Sequence, residues 1–395
     1  MNMSIDLLVP HISSQICTPL LMLYTWASSS MFARCGIRLR AKDLSLLSYP
    51  GVCLSRVTAT LKVTLKQSRM CFATEAKSMP LPKSFPIRVG GGKTIDIPSV
   101  GFGTWAFEGG PTDPAKPEWI KDALKVAFDA GYRHLECAWF YGVDREIGQA
   151  IREYGIPRNE VFICSKIWPN FYHPDKVELC CDKILEGMET DYVDCLLLHW
   201  PCGFMPKSLE ALDQANASNQ ADMNEKGMAL TEDGKMIIDW KHTSQPIAHA
   251  AGHPEGSIVP TWKAMREIYK KGKARSIGVS NFGIADLKAL LPHAQDVPIS
   301  VNQVEAHPWF PNQKLKDFCD EKGILMTCFS PFAGQKADGK TLIHDPTVKE
   351  LASKNGIGVG QLLQSWAVQR GTVPLGKSGN PGKLKCRRTL AFDTE

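Results

Sequence analysis

Eight short apolar runs in this chain each stop at residues that could bind or react. Their ends carry Thr104 and Trp105, Glu136 with Tyr141 five residues on, Lys166, His199, Ser280 and Asn281, Gln303, Phe329 and Ser330, and Lys377 and Ser378. A carboxylic acid, a phenol, an ammonium and an imidazole can hold and move protons, and hydroxyls and amides can bind a small polar molecule. Taken singly, each has an ordinary explanation. A lysine ending a strand is usually solvated, a histidine before Trp200 and Pro201 packs a turn, and Ser280 with Asn281 is a common helix cap. Eight such ends in register along the chain are a different observation.

The elements that must position them follow from periodicity. Strand-like runs fall at 99–102, 134–137, 161–165, 193–198, 275–279, 300–304, 325–328 and 372–375. Helical spacing fills the gaps at 119–130, 144–154, 174–190, 261–271, 284–291 and 312–322, with a pair at 347–354 and 360–370. Strands separated by helices predict an α/β fold with a parallel sheet, and eight strands can close it. The predicted architecture is a (β/α)8 TIM barrel, in which polar residues at strand C-terminal ends are the catalytic candidates. Residues 84–97 read as an N-terminal β-hairpin around Gly90, Gly91 and Gly92. The glycine triplet lacks the following Lys-Ser/Thr of a phosphate loop, so it is a turn. No G-x-G-x-x-G follows the first barrel strand, which argues against a doubly wound dinucleotide domain. About sixty residues, 202–260, separate the fourth barrel strand from the next helix. A connection that long is usually a functional lid or a mobile loop.

The 395 residues are 44% hydrophobic and 22% charged, which excludes a mostly disordered or fibrous chain. The net charge of +5 is uneven: residues 1–78 hold nine basic and three acidic side chains, the remainder 37 and 38. A nearly neutral body gives no reason to expect nucleic acid as a partner. The thirteen cysteines contain no C-x-x-C and read as buried free thiols in a reducing compartment, with no metal site. Residues 1–79 form a leader of different character. Residues 7–33 carry no Asp, Glu, Lys or Arg, but Pro10, Pro19 and several serines interrupt any membrane span. Residues 31–78 are basic, serine-containing and acid-poor, the composition of a mitochondrial transit peptide. The alternative is a leader outside the working protein, with translation starting at Met70 or Met79 and a cytoplasmic product.

The chain resembles the aldo-keto reductase family over residues 80–381. The matching stretches are 131–138 with Tyr141, 163–168, 191–201, 276–282, 301–305 and 329–331. The resemblance implies a monomeric enzyme that reduces small aldehydes, ketones or sugars with NADP(H) and no metal. It makes Tyr141 the general acid, with Lys166 favouring the phenolate and bringing its pKa down from ~10. It makes His199 the residue that orients the carbonyl oxygen, and Glu136 the acid that anchors the lysine. Trp105, Trp168 and Trp200 match the pocket aromatics. Thr104, Ser280, Asn281, Gln303 and Ser330 fall at cofactor positions, and Phe329 stands where the family stacks a tyrosine on the nicotinamide. Lys377, Ser378 and Asn380 match the grip on the adenosine 2′-phosphate, with Lys383 in the place of an arginine.

Two departures stand out. Residues 382–395 form an atypical tail in which the eighth helix is missing or incomplete. A non-catalytic NADPH-binding relative is the alternative these departures suggest. A short-chain dehydrogenase reading on Tyr269 and Lys273 lacks the glycine-rich loop it needs. The other departure is Glu136, where the family has aspartate. The extra methylene moves the carboxylate by on the order of 1 Å, and a misplacement of that size can cost ~10²-fold in rate. Glu136→Asp is therefore expected to raise turnover, as steady-state kinetics of the two proteins would show.

Overall fold

A hairpin comes first and becomes the plug of a barrel. The computed structural model describes residues 81–105, 118–217, 223–334 and 341–377. The leader, the tail, Ser378, Asn380 and Lys383 lie outside these residues. Strands β1 (Ser84–Arg88) and β2 (Thr94–Pro98) pair antiparallel across a turn at Gly90–Gly92. Ile87 and Ile97 are buried with Phe162, Cys195, Val301 and Val373 from the first residues of four barrel strands. The hairpin therefore stoppers the N-terminal end of the barrel with apolar surface, each isoleucine contributing about 1.5–3 kcal/mol.

The barrel strands are β3 (Gly101–Gly103), β4 (His134–Glu136), β5 (Phe162–Ile167), β6 (Cys195–Leu198), β9 (Ile277–Ser280), β10 (Val301–Glu305), β11 (Leu325–Phe329) and β12 (Val373–Gly376). They are parallel and closed, with β12 returning to β3. The predicted (β/α)8 architecture is the one observed. Helices α1 (Glu118–Asp129), α2 (Asp144–Tyr154), α3 (Pro174–Met188), α5 (Val259–Lys270), α6 (Ile284–Leu290) and α7 (Gln313–Lys322) alternate with the strands. α8 (Pro346–Lys354) and α9 (Val359–Gln369) both precede β12. Boundaries differ from the periodic reading by a few residues, for local reasons. β3 begins after residue 99 because the Ser99 amide is used to bond the Lys83 carbonyl and close the hairpin. Pro260 sits in the first turn of α5, where its missing N–H leaves nothing unsatisfied.

The two-residue period of a strand assigns every side chain to one face. In β5, Phe162 and Cys164 join the inner cluster while Ile163 and Ile167 join the outer one, so Lys166 points inward. The same alternation turns Glu136 inward opposite the outer Leu135, His199 inward after Cys195 and Leu197, and Gln303 inward after Val301. Apolar residues thus fill the lower barrel and polar ones its C-terminal end.

The long connection is ordered over its described residues. A short ribbon of β7 (Gly203–Phe204) and β8 (Ile238–Asp239) and helix α4 (Gln245–Ala250) give it structure of its own. Met228 is fully buried, the Asn170 amide donates to the Lys226 carbonyl at 2.9 Å, and Ser244 donates to Asp286 at 2.6 Å. This segment is built into the wall above the strands.

Low in the barrel, burial lowers the imidazole of His134 to about 4, partly opposed by the nearby Pro98 carbonyl. The native state holds the ring neutral, while the unfolded chain protonates it below about 6.5. Its contribution to stability is complete above that value and is lost as the pH falls towards about 4, about 3 kcal/mol in all. Urea denaturation across this range should show that His134→Leu loses correspondingly less stability on acidification than the wild type.

Candidate active site

Tyr141 reaches the barrel axis because the chain turns sharply after β4. Trp139–Tyr141 form one 3-10 turn, with the Tyr141 amide bonded to the Ala138 carbonyl at 2.9 Å. Gly142 ends the turn at φ 63°, a left-handed conformation that would cost a residue with a Cβ about 1 kcal/mol or more. Trp139 and Phe140 are buried, which anchors the turn and returns the phenol towards β5.

There the Lys166 ammonium uses all three of its hydrogens. It donates to Glu136 Oε1, to the Cys137 carbonyl at 3.0 Å and to Tyr141 Oη at 3.0 Å. Tyr141 O–H in turn faces Glu136 Oε1 at 3.3 Å. Lys166 and Glu136 are 1% and 4% exposed, so this is a buried ion pair with a phenol bound to both members. Burial works to lower the Lys166 pKa, but the Glu136 carboxylate and Tyr141 outweigh it and hold the ammonium above its ordinary value. For Tyr141, burial and then the Glu136 charge push the phenol up, and Lys166 pulls it down by less. Lys166 thus acts in the anticipated direction, but the net shift is upward, because burial and then the Glu136 carboxylate together outweigh it. His199 is pushed well below its ordinary pKa by burial and by the Lys166 charge, so it is neutral at neutral pH. Its ring meets Tyr141 edge-on at 5.8 Å and Trp168 at 4.9 Å.

Aromatic rings wall this group. Trp105 lies 4.9 Å from the Tyr141 ring, and Phe140 stacks on Trp168 at 3.8 Å. Trp168 packs 5.8 Å from Phe204 and donates its indole N–H to Met228 Sδ at 3.2 Å. Trp200 stands parallel to His199 at 6.3 Å, its backbone held on both sides by the Tyr172 hydroxyl. The family resemblance picked out the three tryptophans, and the sequence reading missed Phe140, Phe204 and Met228. Phe140 was detectable as the neighbour of Tyr141, whereas nothing in the sequence marks Met228 within its long connection.

The remaining strand ends gather beside this group. The Ser280 hydroxyl donates to the Gln303 carbonyl at 2.8 Å, and Asn281 Nδ2 donates to the His199 carbonyl at 2.9 Å, fastening β9 to its neighbours. Asn281 adopts φ 65°, a conformation asparagine tolerates better than most residues. Phe329 and Ser330 stand at the end of β11, on the rim. Lys377 follows β12, donates to the Trp105 carbonyl and lies 5.5 Å over the Trp119 ring.

These residues suit a nicotinamide cofactor. Gln303 Nε2 and Thr104 Oγ1 are buried and make no hydrogen bond within the protein, and such groups call for a partner. Burial lowers Lys377 to about 8, so an anion beside it would be stabilised as the ammonium charges fully.

A closed parallel barrel that gathers a phenol, a buried ammonium and a buried neutral imidazole at its C-terminal end defines a site able to handle protons. The Aldo/keto reductase family model matches residues 99–386, and the chain belongs to that family. It is 37% identical over 297 residues to a glycerol 2-dehydrogenase (NADP(+)) of Hypocrea jecorina, covering 73% of this chain and 82% of the relative. It is 36% identical over 290 residues to an aldehyde reductase of Saccharomyces cerevisiae, covering 73% and 81%. Among solved structures, the aldose reductase of Schistosoma japonicum matches with a TM-score of 0.61 at 26% identity, over 79% of this chain and 88% of that one.

Removing one member of the buried pair leaves the other uncompensated. Lys166→Met should lose about 3–5 kcal/mol of stability. Urea unfolding at neutral pH measures that loss directly.

Proposed function

We propose that this protein reduces small aldehydes and ketones, sugars among them, to alcohols with NADPH, and that Tyr141 gives the proton. The observation that carries this reading is the contact of Lys166 Nζ with Tyr141 Oη at 3.0 Å, with a neutral His199 ring against the same phenol. The names of the relatives support the reaction class and the NADP preference.

When bound, a reduced nicotinamide supplies the hydride that a carbonyl carbon accepts. Gln303, Ser280 and Asn281 would hold its carboxamide, Thr104, Trp105, Phe329 and Ser330 would line its seat, and Lys377, with Ser378, Asn380 and Lys383, would meet the 2′-phosphate. Lysine acts on that phosphate as a point charge, which favours NADPH over NADH. On the substrate side, neutral His199 offers a hydrogen bond to the carbonyl oxygen and turns it towards Tyr141. Tyr141 transfers its proton to that oxygen, and the Lys166 ammonium remains bonded to the phenolate left behind. The Trp105, Phe140 and Trp168 rings keep water from the developing charge, leaving only the placed donors to meet it.

The site is assembled from strands of one chain, which supports a monomer. The eight described cysteines are free and buried, which supports a reducing compartment such as the cytoplasm. Among the described residues no helix is long and apolar enough to cross a membrane. A cofactor-binding relative without catalysis has no use for Tyr141, Lys166 and His199 in mutual contact.

NADPH oxidation by the purified protein with a panel of small aldehydes tests this reading. Tyr141→Phe should lose on the order of 10²–10⁴ in turnover while binding NADPH as tightly as the wild type in a fluorescence titration. Full turnover by that variant, or none by the folded wild type, would overturn it.

A further inference from the structure

The turn after β5 and the long connection grip each other at two matched points. Trp168 donates its indole N–H to Met228 Sδ at 3.2 Å, and Asn170 donates from Nδ2 to the Lys226 carbonyl at 2.9 Å. Asn170, Lys226 and Met228 are all buried. Gly227, between the two gripping residues, adopts φ 76°, and a Cβ there would meet Leu212 at 3.3 Å and the Ala211 carbonyl at 3.4 Å. The connection also fastens this segment from its own side. The Lys207 amide bonds the Gly227 carbonyl at 2.9 Å, and the Met228 amide bonds the Met223 carbonyl at 3.1 Å. A methionine side chain is flexible by itself, so a held backbone is what makes this sulfur a defined partner.

A thioether sulfur is a weak acceptor, yet a buried indole N–H gains from any partner it finds. Within this chain the contact is selective. The indole N–H groups of Trp139, Trp200 and Trp262 are buried and make no hydrogen bond. Trp168 is the indole that stands between the connection and the reacting groups. It stacks on Phe140 at 3.8 Å and meets the His199 ring edge-on at 4.9 Å. Phe140 is held as well, with the Lys226 ammonium 5.5 Å from its ring and Trp105 stacked with it at 5.9 Å. Residues 226–228 thus act on both rings of the pair that walls the site.

We propose that Met228 is a positioning residue whose sulfur fixes the Trp168 indole, so that the wall beside His199 is formed before a substrate enters. The proposal rests on the reading of the site as that of a carbonyl reductase, and adds which carbonyls the site holds well. An indole free to turn must be ordered by whatever packs on it, and that cost is subtracted from binding. The ring of a benzaldehyde would pack on the wall and gain from an indole already in place. A short aldehyde such as propionaldehyde needs only Tyr141 and His199 and gains nothing from it. Met228 therefore sets a preference among substrates without touching the reacting atoms.

The test compares the full-length wild type with Met228→Leu, a swap of similar volume that cores tolerate and that removes the acceptor. Met205→Leu, at an exposed methionine of the same connection, is the control. One readout is the Trp168 indole N–H signal in the NMR spectrum of protein labelled at its ten tryptophans, identified by its loss in Trp168→Phe. Met228→Leu should move that signal and speed its exchange with solvent, and Met205→Leu should leave it in place. The other readout is steady-state reduction of benzaldehyde and of propionaldehyde with NADPH. Met228→Leu should raise KM for benzaldehyde about two- to tenfold, with kcat changed by less than about twofold and KM for propionaldehyde unaltered. An indole signal that stays put in Met228→Leu would overturn the proposal, and so would KM values for the two aldehydes that change alike. The spectrum needs no turnover. A signal that moves while no protein reduces either aldehyde would overturn the reductase reading and uphold the placement of the indole by Met228.

Discussion

The ion pair between Glu136 and Lys166 is the constraint on which the site depends. Two opposite charges almost wholly removed from water persist only if each is matched and hydrogen-bonded. Glu136 meets that demand with one oxygen, and Lys166 spends its other two hydrogens on the Cys137 carbonyl and the Tyr141 hydroxyl. The pair thus fixes the end of β5 against the turn after β4. It also adds to what burial does to its neighbours: with burial, the Lys166 charge keeps His199 neutral, and with burial, the carboxylate holds the Tyr141 proton in place against the pull of the ammonium.

The barrel makes such a pair tolerable. Below it, the hairpin isoleucines and the inner apolar residues of the strands close the N-terminal end. Around it, Trp105, Phe140 and Trp168 exclude solvent from the sides, and Met228 from the long connection backs Trp168. The buried amide of Gln303 and hydroxyl of Thr104 face an interior where the protein offers them no partner, which is what a site reserved for a polar ligand requires.

Much of this was legible before folding was considered. Short, nearly continuous apolar runs such as 161–165 and 193–198 mark strands buried on both faces, and the helix between each pair marks them as parallel. Once the strands are parallel and closed, every residue just past a strand lies at the same end, so Glu136, Lys166, His199 and Gln303 must converge whatever separates them in the chain. Phe140 and Met228 escaped because a packed ring and a methionine in a long connection look like any other apolar residues. The leader, the tail and the residues after Lys377 that the family resemblance assigns to a 2′-phosphate lie outside the described residues.

The sequence by itself determined the element order, the family and which candidate site residues end the strands. Those follow from period and residue type, which are local properties of the chain. Tertiary structure decided the balance of charge on Tyr141. The sequence places an acid five residues before the phenol and a lysine on the next strand, but the sign of the net effect depends on angstrom-scale distances. Electrostatic interaction in a buried site changes steeply over such distances. Burial, together with a carboxylate 3.3 Å from the hydroxyl, overrides an ammonium at 3.0 Å.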